Sequence, residues 1–149
     1  MSEFSEFEAL VNNVGDAVVV SGADGKITFW NGGAERLFGF PRAEALGSSL
    51  DIIIPERMRQ RHWDGYHKTM ETGHTKYGSD VLRVPAIGKG GKPLSIAFTV
   101  AMLYGADGKV AAIASVMRDE TERFNQDRAL RKRLQELETL LRAKEAPTD

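Results

Sequence analysis

Apolar and polar positions alternate along this chain with two different periods. Phe7, Leu10, Val11 and Val14 return at helical spacing, and Ser5 followed by Glu8 has the form of a capping box, which predicts a short amphipathic helix closed by Gly15-Asp16. A β-branched run, Ala17-Val18-Val19-Val20, then meets the turn Ala23-Asp24-Gly25 and a second run, Lys26 to Trp30, so a β-hairpin is expected. Asn31 can cap a helix from Gly32 to Phe38, and Pro41 can open another that Gly47 stops. Ile52-Ile53-Ile54 leads into Pro55, after which Glu56 to Thr72 reads as one helix ended by Gly73.

Beyond Tyr77 the period becomes two. Leu82, Val84 and Ala86 alternate with Val81, Arg83 and Pro85; Ile96, Phe98, Val100 and Met102 alternate with Ser95, Ala97, Thr99 and Ala101; Val110 to Met117 is nearly continuously apolar. Turns at Gly88-Lys89-Gly90-Gly91 and Ala106-Asp107-Gly108 join these three strands into an antiparallel meander. The predicted class is α+β, one five-stranded antiparallel sheet with its helices on one face. A pocket forms between the two layers wherever covering side chains leave them unfilled. The expected organisation is an N-terminal helix over 1–15, the sheet domain over 16–120 and a C-terminal helix over 121–149.

That last segment is charged and rich in alanine and leucine. Leu130, Leu134, Leu137 and Leu141 follow coiled-coil spacing, which favours pairing with a partner helix, here a second copy, over folding back on the chain's own sheet.

With 149 residues, 42% apolar and 28% charged, the chain holds one core and no more. A formal net charge of −1 leaves no excess cation for a nucleic acid or an anionic membrane. No stretch is apolar enough to span a bilayer or to serve as a signal peptide, so a cytoplasmic protein is expected. The absence of cysteine removes disulfides, thiolate metal sites and cysteine–flavin adducts. Gly88 to Lys92 lacks P-loop spacing, and no nucleophile elbow or carboxylate pair is evident, so an enzyme is not expected.

All three histidines, His62, His67 and His74, lie between Arg61 and His74. His62 and His67 stand about 140° apart around a helix, and Gly73 should end it before His74, so a shared metal ion is not expected. A single axial ligand or a solvated helix remains.

The stretch DAVVVSGADGKITFWNGGAERLFGFPRAEALGSSLDIIIP, with the order of elements around it, resembles the sensory PAS domain family. The Asp-Gly turn, the Asn at the hairpin's end, Leu-Phe-Gly and a Gly before the Ile-Pro run carry the resemblance, which covers roughly residues 7 to 123. Asn31-Gly32-Gly33 stands where many members have Asn followed by Pro-Ala or Ala-Ala. Asp119-Glu120-Thr121 is similar to the family's Asp-x-Thr exit into a signalling helix, which implies signalling roles for Asp119 and Thr121. PERMRQRHWDGYHKTMETG is most similar to haem-binding PAS domains of FixL-type oxygen sensors and direct oxygen-sensor phosphodiesterases, whose helix carries a histidine that binds haem iron. In some of them Asp-Gly-Tyr follows that histidine directly, whereas here Trp63 intervenes before Asp64-Gly65-Tyr66.

The resemblance implies b-type haem with His62 as its iron ligand. Physically this needs one neutral imidazole and an apolar slot. Met58, Tyr66 and Thr69 flank His62 on the helix, and Phe98, Val100, Ile113 and Ser115 offer the floor. Noncovalent flavin, stacked on Trp30 or Trp63, is the lesser alternative. His67 and His74 are expected at the surface. Where such oxygen sensors place an arginine this chain has Leu82, and where they place a methionine it has Asp80, with Arg83 one residue away from Leu82. An apolar wall favours carbon monoxide or nitric oxide over dioxygen, unless a bulge at Gly78-Ser79 turns Arg83 inward. The expected function is sensing of a small gas, relayed through the C-terminal helix to a downstream protein effector. The alternative is a cofactor-free dimerisation or docking module.

Overall fold

The computed structural model describes residues 2–75 and 77–145 and divides into two compact units, Met1–Asp119 and Glu120–Asp149. Met1 and the last four residues of the expected C-terminal segment lie outside the described residues.

The first unit is built on a five-stranded antiparallel sheet of β1 (Ala17–Gly22), β2 (Ile27–Trp30), β3 (Leu82–Ile87), β4 (Pro93–Tyr104) and β5 (Val110–Asp119). The strand order is β2-β1-β5-β4-β3, so the N-terminal hairpin and the C-terminal meander meet where β1 pairs with β5. Directly paired residues share a face. The pairs Leu82–Phe98, Phe98–Met117, Val100–Ser115, Ser115–Val19, Met102–Ile113 and Ile113–Ser21 therefore define one continuous surface. It carries the core, with Val19, Ile96, Ile113 and Met117 buried.

The helices between β2 and β3 are α2 (Gly32–Phe38), α3 (Arg42–Ala45) and α4 (Arg59–Thr72). Expectation and structure differ at two helix starts. The helix read from Glu56 is a 3-10 turn, Glu56–Met58, followed by α4 beginning at Arg59, because the tight turn that follows Pro55 completes before the α-helical ladder starts. The first helix, α1 (Glu3–Asn13), is capped by Ser2, whose hydroxyl accepts from the Ser5 amide, so the Ser5–Glu8 box is not the cap. None of α1 is buried, and Phe4 is 80% exposed. Phe4, Phe7 and Val11 form a shallow apolar groove with Phe29.

Trp30 is fully buried, tilted against Phe38 at 5.4 Å, and donates its indole N–H to the Phe40 carbonyl at 3.0 Å. Beside it Asn31, only 1% exposed, uses all its hydrogen-bonding capacity. Its Oδ1 accepts from the amides of Val18 (2.8 Å) and Ala34 (2.9 Å). Its Nδ2 donates to the carbonyls of Val11 (2.9 Å) and Asp16 (3.0 Å). One carboxamide thus joins α1, β1 and α2. Nearby, Arg118 at the end of β5 holds the Asp16 carboxylate through Nε (3.0 Å) and a second guanidinium nitrogen (3.1 Å).

The second unit is the helix α5 (Thr121–Glu145). None of its residues is buried, and Leu130, Leu134, Leu137 and Leu141 are all exposed. No helix among the described residues is long and apolar enough to cross a membrane.

Candidate functional site

Gly25, at φ +77°, turns β1 into β2, and the hairpin end it forms receives α4. A Cβ on Gly25 would lie 2.2 Å from the Trp63 ring, so the indole rests directly on turn backbone. The other end of that indole donates from Nε1 to Asp51 Oδ1 at 2.7 Å. One helical turn on, Tyr66, 7% exposed, reaches β1. Its phenolic proton goes to the Gly22 carbonyl at 2.6 Å, which leaves Ser21 Oγ, 2.9 Å away, to donate to the phenolic oxygen. Burial raises the Tyr66 pKa above the ordinary tyrosine value, so the hydroxyl stays a donor at neutral pH.

His62 packs against both of these aromatics. Its ring meets Trp63 edge-on at 4.7 Å and lies 5.6 Å from Tyr66. Around the helix it is about 40° from Tyr66, on the side away from Trp63. Neither ring nitrogen has a hydrogen-bond partner among the described residues, and Nδ1 is buried outright. Burial pushes the imidazole below the usual histidine pKa; the Asp51 carboxylate opposes that shift and His67 adds to it. The ring is therefore neutral at pH 7.

This has a measurable consequence. The folded pKa lies below 6.5, the value of a free histidine. As pH falls past that value the unfolded chain takes up the proton first, so stability present above it is lost progressively toward the folded pKa. Between about pH 7.5 and about pH 5, urea unfolding is expected to show a larger loss for the wild type than for His62→Leu. Equal losses would show that the ring is solvated.

Leu82, Phe98, Val100, Ile113 and Ser115 share the helix-facing surface of the sheet. Met58 caps α4, and Met58, His62 and Tyr66 follow one stripe at intervals of four. Leu82, Val84, Phe98, Val100 and Met102 are only half-buried. A buried polar atom without a partner among the described residues, on an uncharged imidazole of a helix packed on the sheet, fits the demands of a haem iron ligand. The β3–β4 ladder runs from Leu82 to Ile87 without a register shift, so Arg83, opposite Ala97, faces the other way. Gly78 and Ser79, where a bulge would have turned it inward, lie in a turn before β3. His67 and His74 are exposed, and no metal-binding cluster occurs among the described residues. Trp30 is core and Trp63 is half-buried against the turn.

Two residues of this site, Ser21 and Asp51, escaped the sequence reading. Ser21 had a visible signal, a hydroxyl at a core-facing position of β1 that some buried partner must answer. Asp51 had none, because it meets Trp63 twelve residues on, across two short 3-10 helices and the start of α4.

The family profile described as the PAS fold matches residues 5–119. The oxygen sensor protein DosP of Escherichia coli (strain K12) is 29% identical over 110 residues, covering 74% of this chain and 14% of that protein. The sensor protein FixL of Bradyrhizobium diazoefficiens is 36% identical over 62 residues, covering 42% of this chain and 12% of that protein. The chain thus spans a small part of the length of either relative. Among solved structures, the PAS domain of a protein from Colwellia psychrerythraea superposes with a TM-score of 0.71 at 21% identity, covering 81% of this chain and 99% of that one. An RNA-binding light-oxygen-voltage receptor does so with a TM-score of 0.70 at 17% identity, covering 89% of this chain and 37% of that one. With the strand order, the exit at Asp119 and the profile match in agreement, the chain belongs to the PAS family.

Proposed function

We propose that this PAS domain is a gas sensor that holds b-type haem through His62. The observation that carries the reading is the His62 Nδ1, buried and unpartnered among the described residues, on a ring that burial keeps neutral and on a helix that packs against β1 and β5. The similarity to an oxygen sensor protein and to the sensor protein FixL supports it. Bound haem would supply an iron centre able to take up a diatomic gas.

His62 acts as the ligand without first giving up a proton. Met58 and Tyr66 flank it, and Phe98, Val100, Ile113 and Ser115 form the floor. The side chain that β3 presents is Leu82, which offers no hydrogen to a polarised dioxygen, so the preferred ligand is carbon monoxide or nitric oxide. The signal leaves along Asp119 and Thr121 into α5, where Leu130, Leu134, Leu137 and Leu141 pair with a second copy and present the change to a protein effector.

Protein produced with haem available should show a Soret band that is lost in His62→Ala, and the ferrous form should bind carbon monoxide more tightly than dioxygen. A colourless, folded dimer that takes up no haem on titration would overturn the reading and leave a cofactor-free dimerisation module.

A further inference from the structure

Trp63, directly after His62, occupies a defined place. Its indole is held at both ends, by the Asp51 carboxylate at 2.7 Å and by the bare backbone of Gly25. Asp51 is itself fixed. Its amide donates to Ser49 Oγ at 3.1 Å, and its carbonyl accepts from Arg59 at 3.2 Å. Arg59 also donates to the Ile54 carbonyl at 3.1 Å, so the first turn of α4 is fastened to the segment that carries Asp51. Among the described residues His62 has no hydrogen-bond partner to choose its rotamer. What orients the ring is its edge-on contact with Trp63 at 4.7 Å and its packing on Tyr66.

We propose that Asp51 and Trp63 are positioning residues for His62: the carboxylate fixes the indole, and the indole fixes the imidazole. The haem role of His62 comes from the reading above, whereas the positioning is a property of the chain itself. A ligand that binds iron through one nitrogen gains from having its ring direction set beforehand, because less side-chain freedom is lost on binding. Trp63 does here what a hydrogen bond to the far ring nitrogen does for most ligating histidines. Displacement of His62 is thereby delivered to the β1–β2 turn as well as to the sheet.

The test separates the carboxylate's charge from its role as acceptor. Asp51→Asn keeps an oxygen that can accept the indole proton, and Asp51→Ala does not; the Arg59 bonds to backbone carbonyls remain in both. In apo protein, at mildly alkaline pH where the His62 ring is neutral, its carbon-bound protons should show ring-current shifts in NMR spectra. These shifts should persist in Asp51→Asn and collapse toward free-histidine positions in Asp51→Ala, while the Trp63 indole proton exchanges faster. Haem loss should be about tenfold faster in Asp51→Ala and near wild type in Asp51→Asn. Thermal melts identify any variant whose whole fold has loosened, and Trp63→Phe, which keeps a ring but no donor, should then reproduce the faster haem loss. Unchanged His62 signals in folded Asp51→Ala, or identical behaviour of both Asp51 variants, overturns the proposal. Should the wild type take up no haem while the NMR pattern holds, the haem reading falls and the positioning stands.

Discussion

Asn31→Ala is expected to destabilise the first unit by about 3–5 kcal/mol, seen as a fall of roughly 10 °C or more in Tm. The substitution removes two acceptor and two donor contacts at a site almost closed to water. The amides of Val18 and Ala34 lose a buried acceptor, and the carbonyls of Val11 and Asp16 lose a donor. A buried group left unanswered costs about 1–3 kcal/mol, but four such costs do not add in full, because the cavity can relax or admit a water. Asn31→Asp keeps the acceptor side and turns an oxygen toward two carbonyls, so it should be nearly as damaging. A loss below about 1 kcal/mol for Asn31→Ala in urea melts would mean that the site is wetter than its burial states.

Gly33→Ala should be the second large effect, and its direction is decided by two opposed magnitudes. In a helix interior, alanine is better than glycine by about 1 kcal/mol. A Cβ at residue 33, however, would stand 2.2 Å from the Asp16 carbonyl oxygen and 2.6 Å from its carbon, both main-chain atoms at the start of β1. Neither can rotate away. Either α2 or β1 must shift, and overpacking of that kind costs about 1–3 kcal/mol and more when backbone is involved. The same carbonyl accepts from Asn31, so the shift also stretches that contact. A net loss of about 2 kcal/mol or more is expected by chemical denaturation. A variant as stable as wild type would show that the close approach relaxes freely. Gly32 offers a control, since its hypothetical Cβ has no neighbour closer than 3.2 Å.

These two positions show how far the sequence could be read. An asparagine before Gly32 is legible as a helix cap, and it caps α2 through the Ala34 amide. Its donor half was not legible, because Val11 and Asp16 come to it only once α1 and β1 have docked. The second glycine after it is a weak helix former by propensity; its actual reason is the distance between two backbones, which no local rule encodes. The sheet was easier. Alternation at Leu82–Ala86 and Ile96–Met102 and the Asp-Gly turns gave the strands, and a single register step separates Leu82 from Arg83. In the site, helical spacing gathered Met58, His62 and Tyr66, while Asp51 and Ser21 are partners reached across the fold.

The Val11 carbonyl answers half of the donor capacity of Asn31. A shortened chain beginning at the first strand, where the β-pattern invites a cut, would keep every residue of the sheet and still strip a bond from a buried side chain at its edge. The cooperative boundary of this domain therefore lies upstream of its first strand, inside a helix whose own side chains are nowhere buried.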